Sequence, residues 1–150
     1  MNAENLNSIF LKADEGQSFV VFGSTMTYKA MADDTGRAYS LAVETTPPHG
    51  GIHLHTHSHE DEAMFILEGE YEIRCGDRVI PAAAESFVFL PRGVPNSYTN
   101  ITDSPARFIH ITSPGGFEKL VEKTSRIKIN GPEDMATVAQ VSADHGIQFL

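Results

Sequence analysis

Between about residues 17 and 112, apolar and polar side chains alternate in short runs rich in β-branched and aromatic residues, with no sustained recurrence at three and four positions. Side chains two apart on an extended chain share a face, so this alternation predicts half-buried β-strands. Ten are expected, over residues 18–22, 26–31, 37–44, 52–57, 62–67, 71–75, 79–81, 87–90, 97–101 and 106–112. Asp33-Asp34-Thr35-Gly36, Glu68-Gly69-Glu70 and Cys75-Gly76-Asp77-Arg78 supply the turn chemistry of tight hairpins, which implies antiparallel pairing. Many short strands must close or stack to hide their edges, and a jelly-roll barrel fits best.

After Ser113 the period changes. Pro114-Gly115-Gly116 interrupts the strands, and Phe117, Leu120 and Val121 recur as on a short amphipathic helix. A second helix is expected to begin near Pro132, with Glu133 and Asp134 in its first turn, and to run to about Ala143 before Gly146. The expected organisation is an N-terminal arm over 1–16, an all-β barrel over 17–113 and a helical extension over 114–150 packed on the barrel.

At 150 residues the chain is the size of one domain, and its 41% hydrophobic content is ordinary for a globular protein. A net charge of −9 with no Lys/Arg cluster argues against nucleic acid or an anionic membrane as partner. The first twenty residues lack the basic start and small-residue cleavage site of a signal peptide, no stretch reads as a transmembrane segment, and Cys75 is the single cysteine. A reducing cytoplasm is the expected compartment.

Five of the seven histidines lie between His49 and His59. In "GGIHLHTHSHEDE", His53, His55 and His57 would share one strand face, roughly 7 Å apart in steps of two. Glu62 lies at an odd offset from His57, so it can join that face only if the chain turns through residues 58–61 and returns on a neighbouring strand. Two imidazoles and a carboxylate make the donor mix preferred by Fe, Mn, Co, Ni or Zn as a divalent ion. Taken alone, a His-x-His pair reads first as an exposed polar strand.

The stretch from about Thr46 to Ile111 resembles the cupin superfamily, in particular small single-domain cupins similar to the quercetin 2,3-dioxygenase-like proteins. The first cupin motif is matched by His55, His57, Glu62 and Gly69 at the family's spacing, with His49 where its leading glycine would stand and Gly50 and Gly51 just after. In "ESFVFLPRGVPNSYTN" the second motif keeps Pro91, Gly93 and Asn100, but Glu85 replaces a glycine and Asn96 replaces the fourth metal-binding histidine. The resemblance implies a double-stranded β-helix with one divalent transition metal in the barrel mouth, held by His55, His57 and Glu62. Asn96 would then coordinate weakly, hold a metal-bound water, or fall short of the ion. The family also implies a homodimer, which would cover sheet edges.

Other positions carry alternatives. His53 would line the pocket, support a ligand by a hydrogen bond, or face solvent, while His59, Glu60 and Asp61 are expected in a solvated turn. His110 shares a face with Phe108 and Thr112 and would replace the missing ligand, orient substrate, or sit as a satisfied core histidine. Cys75 follows Tyr71 and Ile73 as a small core residue. Met64, Phe65, Phe87 and Phe89 are core positions, of which Met64 and Phe89 are taken, with His53 and His110, as substrate-pocket residues.

The expected function is a metal-dependent dioxygenase acting on a small aromatic, flavonol-like or polyketide-like substrate, with Glu62 both ligand and catalytic base. The alternatives are a non-oxidative isomerase or cyclase, and a non-catalytic barrel binding a small apolar ligand with a weakened metal site.

Overall fold

The protein is described by a computed structural model covering residues 6–150. Residues 1–5 of the expected arm lie outside the described residues. Residues 6–16 contain no helix or strand. Lys29 ties them to the barrel, its Nζ donating to the carbonyls of Lys12 and Ala13, each at 3.0 Å.

The ten expected strands form: β1 (Gln17–Val21), β2 (Ser24–Ala30), β3 (Ser40–Thr46), β4 (Gly51–His57), β5 (Asp61–Glu68), β6 (Glu70–Cys75), β7 (Arg78–Ala83), β8 (Phe87–Leu90), β9 (Asn96–Asn100) and β10 (Ala106–Ser113). Every pairing is antiparallel, in a six-stranded sheet ordered β1-β2-β3-β10-β5-β8 facing a five-stranded sheet that begins with a further strand, β11 (Ile147–Phe149), and continues β4-β9-β6-β7. This is the expected all-β jelly roll with short helices. The helices are α1 (Ala32–Thr35), α2 (Glu118–Ser125) and α3 (Pro132–Asp144).

Two local readings change. Asp33-Asp34-Thr35-Gly36 is not a hairpin turn but the body and end of α1. The Met31 amide donates to Asp34 Oδ2 (2.9 Å), and Gly36 closes the turn at φ 62°, so the following strand starts at Ser40. β11 was not expected, because three residues are too short for a periodic signal. It is held by pairing Ile147 with His57 and Phe149 with His55 along β4.

The barrel is filled unequally along its axis. One end is a dense core of Met64, Ile66, Tyr71, Ile73, Val88, Leu90 and Phe108. Towards the other end the inward residues of β5 and β10 become polar, Glu62 and His110, and on neighbouring β3 Glu44 is buried as well, paired in register with Phe108. There α2, α3, β11 and the β1–β2 turn roof a cavity rather than fill it. Glu118 fastens that roof: its carboxylate accepts from the Ala32 amide (2.8 Å), Ser40 Oγ (2.5 Å) and the Gly116 amide (3.1 Å).

Candidate metal centre

The cavity has a volume of about 80 Å³ on a measure where one water needs about 10–15 Å³. Its walls are largely apolar, including Met26, Ile52, Leu120 and Val121, and Phe117 and Phe149 overlie the imidazoles. The Phe117 ring lies 5.2 Å from that of His57 and 5.8 Å from that of His110, and Phe149 lies 5.9 Å from His55.

At the cavity base, donor atoms of His55, His57 and Glu62 all lie within 4.8 Å of one another. The two Nε2 atoms are 3.1 Å apart, and His57 Nε2 is 2.9 Å from Glu62 Oε1. Donors about 2.1 Å from a common ion and at right angles around it would be about 3.0 Å apart, so this spacing suits a shared cation. Both imidazoles are preset to coordinate through Nε2. His55 Nδ1–H donates to the His53 carbonyl and His57 Nδ1–H to Glu60 Oε1, each at 2.7 Å.

Protons at present hold this cluster together. Burial pulls His57 down, but the charge of Glu62 and hydrogen bonds to Glu60 and Glu62 outweigh it and push the imidazole up to about 9. His55, with burial dominant, is pulled below the usual imidazole range. Burial would raise Glu62, yet the His57 charge and the hydrogen bonds from His110 and His57 hold it well below the carboxylate range. His110 Nε2 lies 2.6 Å from Glu62 Oε2, leaving Oε1 to His57 and to Asn96 Nδ2 at 3.2 Å. Asn96 Oδ1 is buried without a hydrogen-bond partner, an orphan acceptor of the kind that an ion or its water would satisfy.

Residues 42–112 match the protein family described as the cupin domain. Those residues, just under half of the chain, form a cupin domain. Solved structures of similar fold include a predicted oxalate decarboxylase from Thermotoga maritima (20% identity, 71% of this chain and 99% of that one, TM-score 0.64). An RmlC-like cupin from Shewanella frigidimarina is also similar (12% identity, 75% and 96% covered, TM-score 0.65), as is the polyketide cyclase RemF from Streptomyces resistomycificus (18% identity, 71% and 80% covered, TM-score 0.63). Among curated proteins none matches the chain in sequence.

The two glycine departures from the cupin motifs fall on left-handed backbone: His49 has φ 58° and Glu85 φ 70°. The chain therefore keeps the motif's turns while occupying them with residues that strain there. Gly93 of the second motif also has a left-handed φ, 78°, and its amide donates to the His57 carbonyl (2.7 Å), fixing the end of the ligand strand. Asn100 is a structural pin. Its Nδ2 donates to the Ser104 and Pro47 carbonyls (2.8 and 3.1 Å), and its Oδ1 accepts from the Thr102 amide (2.9 Å).

Several expected roles are corrected. His53 is exposed and does not share the face of His55 and His57, because the β4–β9 register slips between Ile52 and His55 and the bulge reverses the alternation. Its carbonyl, not its ring, supports His55. Met64 is fully buried in the distal core and lines no part of the cavity. Phe89 is 55% exposed, since Val88 and Leu90 take the inward positions of β8 and Phe87 and Phe89 point outward. Glu60 is buried against His57 rather than solvated, and Asp61 is paired with Arg92 at 3.1 Å. His110 does face the interior, bonded to Glu62. Asn96 is buried but forms no part of the cavity wall.

Glu60 and Glu44 are the residues sequence reasoning missed. Glu60 stands three beyond His57 across a turn, a spacing that lets a carboxylate reach back to Nδ1. Glu44 stands at the inward phase of Ser40, Ala42 and Thr46, where a charged residue needs a reason.

Proposed function

We propose that this cupin is a metal-dependent enzyme acting on a small, mainly apolar, oxygenated molecule. The observation that carries the reading is the convergence of His55 Nε2, His57 Nε2 and Glu62 at the base of a roofed apolar cavity. These three residues would hold one divalent transition metal, with Asn96 Oδ1 as the group left to meet the ion or its water. Such an ion supplies Lewis acidity to a substrate oxygen and, for iron, a route to dioxygen chemistry.

The remaining work falls to the chain. Glu60 and the His53 carbonyl hold both imidazoles with Nε2 towards the cavity, and His110 orients the Glu62 carboxylate. Glu62 is the base of this reading, taking a phenolic or enolic proton, while the hydrogen bond from His110 keeps its carboxylate in place. Phe117, Phe149 and Leu120 exclude water above the site. We favour dioxygenase action because two histidines and one carboxylate leave coordination positions open. Isomerisation or cyclisation is the second reading, favoured by the direct Glu62–His110 contact.

Untagged protein, prepared without chelator, should carry one equivalent of divalent metal that His57→Ala loses. Wild-type protein that takes up none from excess Fe, Mn, Co or Ni would sink the proposal, leaving a ligand-binding barrel. With the flavonol quercetin as probe, dioxygen uptake coupled to turnover supports the oxidative reading, and turnover without uptake the non-oxidative one.

We also propose a homodimer formed through the outer face of the six-stranded sheet. Phe65 and Leu67 on β5 and Phe87 and Phe89 on edge strand β8 project there, 38%, 37%, 63% and 55% exposed. A reducing compartment, the cytoplasm, is proposed from the single Cys75, which is free. Among the described residues no helix is long and apolar enough to cross a membrane.

A further inference from the structure

The cavity has a second polar station, absent from both cupin motifs. Glu44 lines it from β3, 2% exposed, and forms no ion pair among the described residues. Tyr98, on the facing sheet, donates its O–H to Glu44 Oε1 at 2.8 Å. The groups set towards Glu44 from neighbouring elements are Tyr98 on β9, Ser24 on β2, His110 on β10 and Glu62 on β5. Burial pushes Glu44 above the usual carboxylate range, and the pull of His110 and the hydroxyls of Tyr98 and Ser24 offsets only part of that.

A buried carboxyl with no direct ion pair is costly beside a wall that includes Met26, Ile52, Leu120 and Val121. An apolar residue at position 44 would complete the wall, and a purely structural acid would be expected to close a network, as Glu118 does. Glu44 instead lines the cavity, with Tyr98 on one oxygen and the Ser24 hydroxyl set towards its carboxyl. In its neutral form the acid has a proton to give, and Tyr98 fixes the direction in which it is given.

We propose that Glu44, held by Tyr98, donates a hydrogen bond to an oxygen of the bound substrate. This makes the occupant a hydroxy-ketone or enol-ketone, with oxygen donors at the His55–His57–Glu62 cluster and a further carbonyl or enolate oxygen at Glu44. The assignment rests on the metal-dependent reading for the first set of oxygens only. Glu44 is a binding and specificity residue here, separate from the base Glu62.

The test uses the full chain loaded with Co(II), whose visible spectrum reports ligand entry, and maltol, a small flat hydroxy-ketone, as probe. Metal content is measured first for each variant, so that loss of the metal centre is distinguished from loss of the second station. Glu44→Leu should weaken maltol about tenfold with metal content unchanged, and Glu44→Gln, whose amide can still donate, should bind within about threefold of wild type. Infrared difference spectra of metal-free protein with isotope-labelled glutamate should show a protonated carboxyl near pH 7 that Glu44→Gln removes. Failure of wild-type protein to bind maltol, full affinity in Glu44→Leu, equal loss in Glu44→Gln, or an ionised Glu44 in the infrared spectrum would each overturn the assignment. The infrared result stands even if the protein holds no metal.

Discussion

Metal and proton should compete for His57, and the structure sets the stoichiometry. In the metal-free protein His57 donates from Nδ1 to Glu60 and from Nε2 to Glu62, so it is an imidazolium held up to about 9. At pH 7.5 it is therefore mostly protonated. Glu62 is held ionised and His55 neutral by the shifts already described, and Asn96 does not titrate. A divalent ion binding through His57 Nε2 must therefore displace close to one proton. Calorimetric titration with Zn(II) in two buffers of different ionisation enthalpy measures the proton count directly. The apparent affinity should rise about tenfold per pH unit from pH 7 and level off near 9. Glu60→Gln removes one of the charges that raise His57, so its plateau should move to lower pH. The linkage to stability has a definite sign: the folded value lies above the ordinary 6.5, so this stabilisation is full below about 6.5 and lost as pH rises through about 9. Metal-free protein should thus lose thermal stability between pH 7 and 9 through this group. Release near zero, with affinity independent of pH, would refute the assignment of His57 as the proton that fills the site.

Three further expectations test separate parts of the structure. Asn96→His should retain metal about tenfold more tightly in equilibrium dialysis, and unchanged affinity would place position 96 outside the coordination shell. Because Glu85 sits at φ 70°, Glu85→Gly should leave stability within about 0.5 kcal/mol or raise it, whereas Glu85→Val should lose about 1–2 kcal/mol in urea unfolding. Equal effects of the two would mean that backbone conformation is not what constrains the site. Phe87→Glu combined with Phe89→Glu should shift sedimentation from dimer to monomer while leaving the circular dichroism spectrum of the folded chain unchanged, since both rings lie outside the core; an undisturbed dimer would move the interface elsewhere.

What the residues disclosed, and what they concealed, has a common physical origin. Strands were legible because alternation survives wherever one face is buried, and Glu62 because the turn through residues 58–61 returns it to the face of His55 and His57. Interpretation failed where one residue changes the phase. β8 carries apolar residues on both faces, Val88 and Leu90 inward and Phe87 and Phe89 outward, so hydrophobicity alone does not set its phase. Glu60 was concealed by its turn setting, although its partner lies only three positions back. The bulge in β4 matters most. A regular strand would have placed His53 in the cavity with His55 and His57 and turned Ile52 outward. The register slip between Ile52 and His55 does the reverse: Ile52 joins the cavity wall and His53 faces solvent. Gly51 makes the close approach of β4 and β9 feasible there, since a Cβ on it would lie 2.0 Å from the Tyr98 carbonyl oxygen. One inserted position thereby limits the strand to two inward imidazoles and keeps the neighbouring wall apolar. The charged and titratable groups of the cavity then fall in two places, the His55–His57–Glu62 cluster with His110 and the Glu44–Tyr98 pair, and the proposal of an oxygenated but otherwise apolar occupant rests on that division.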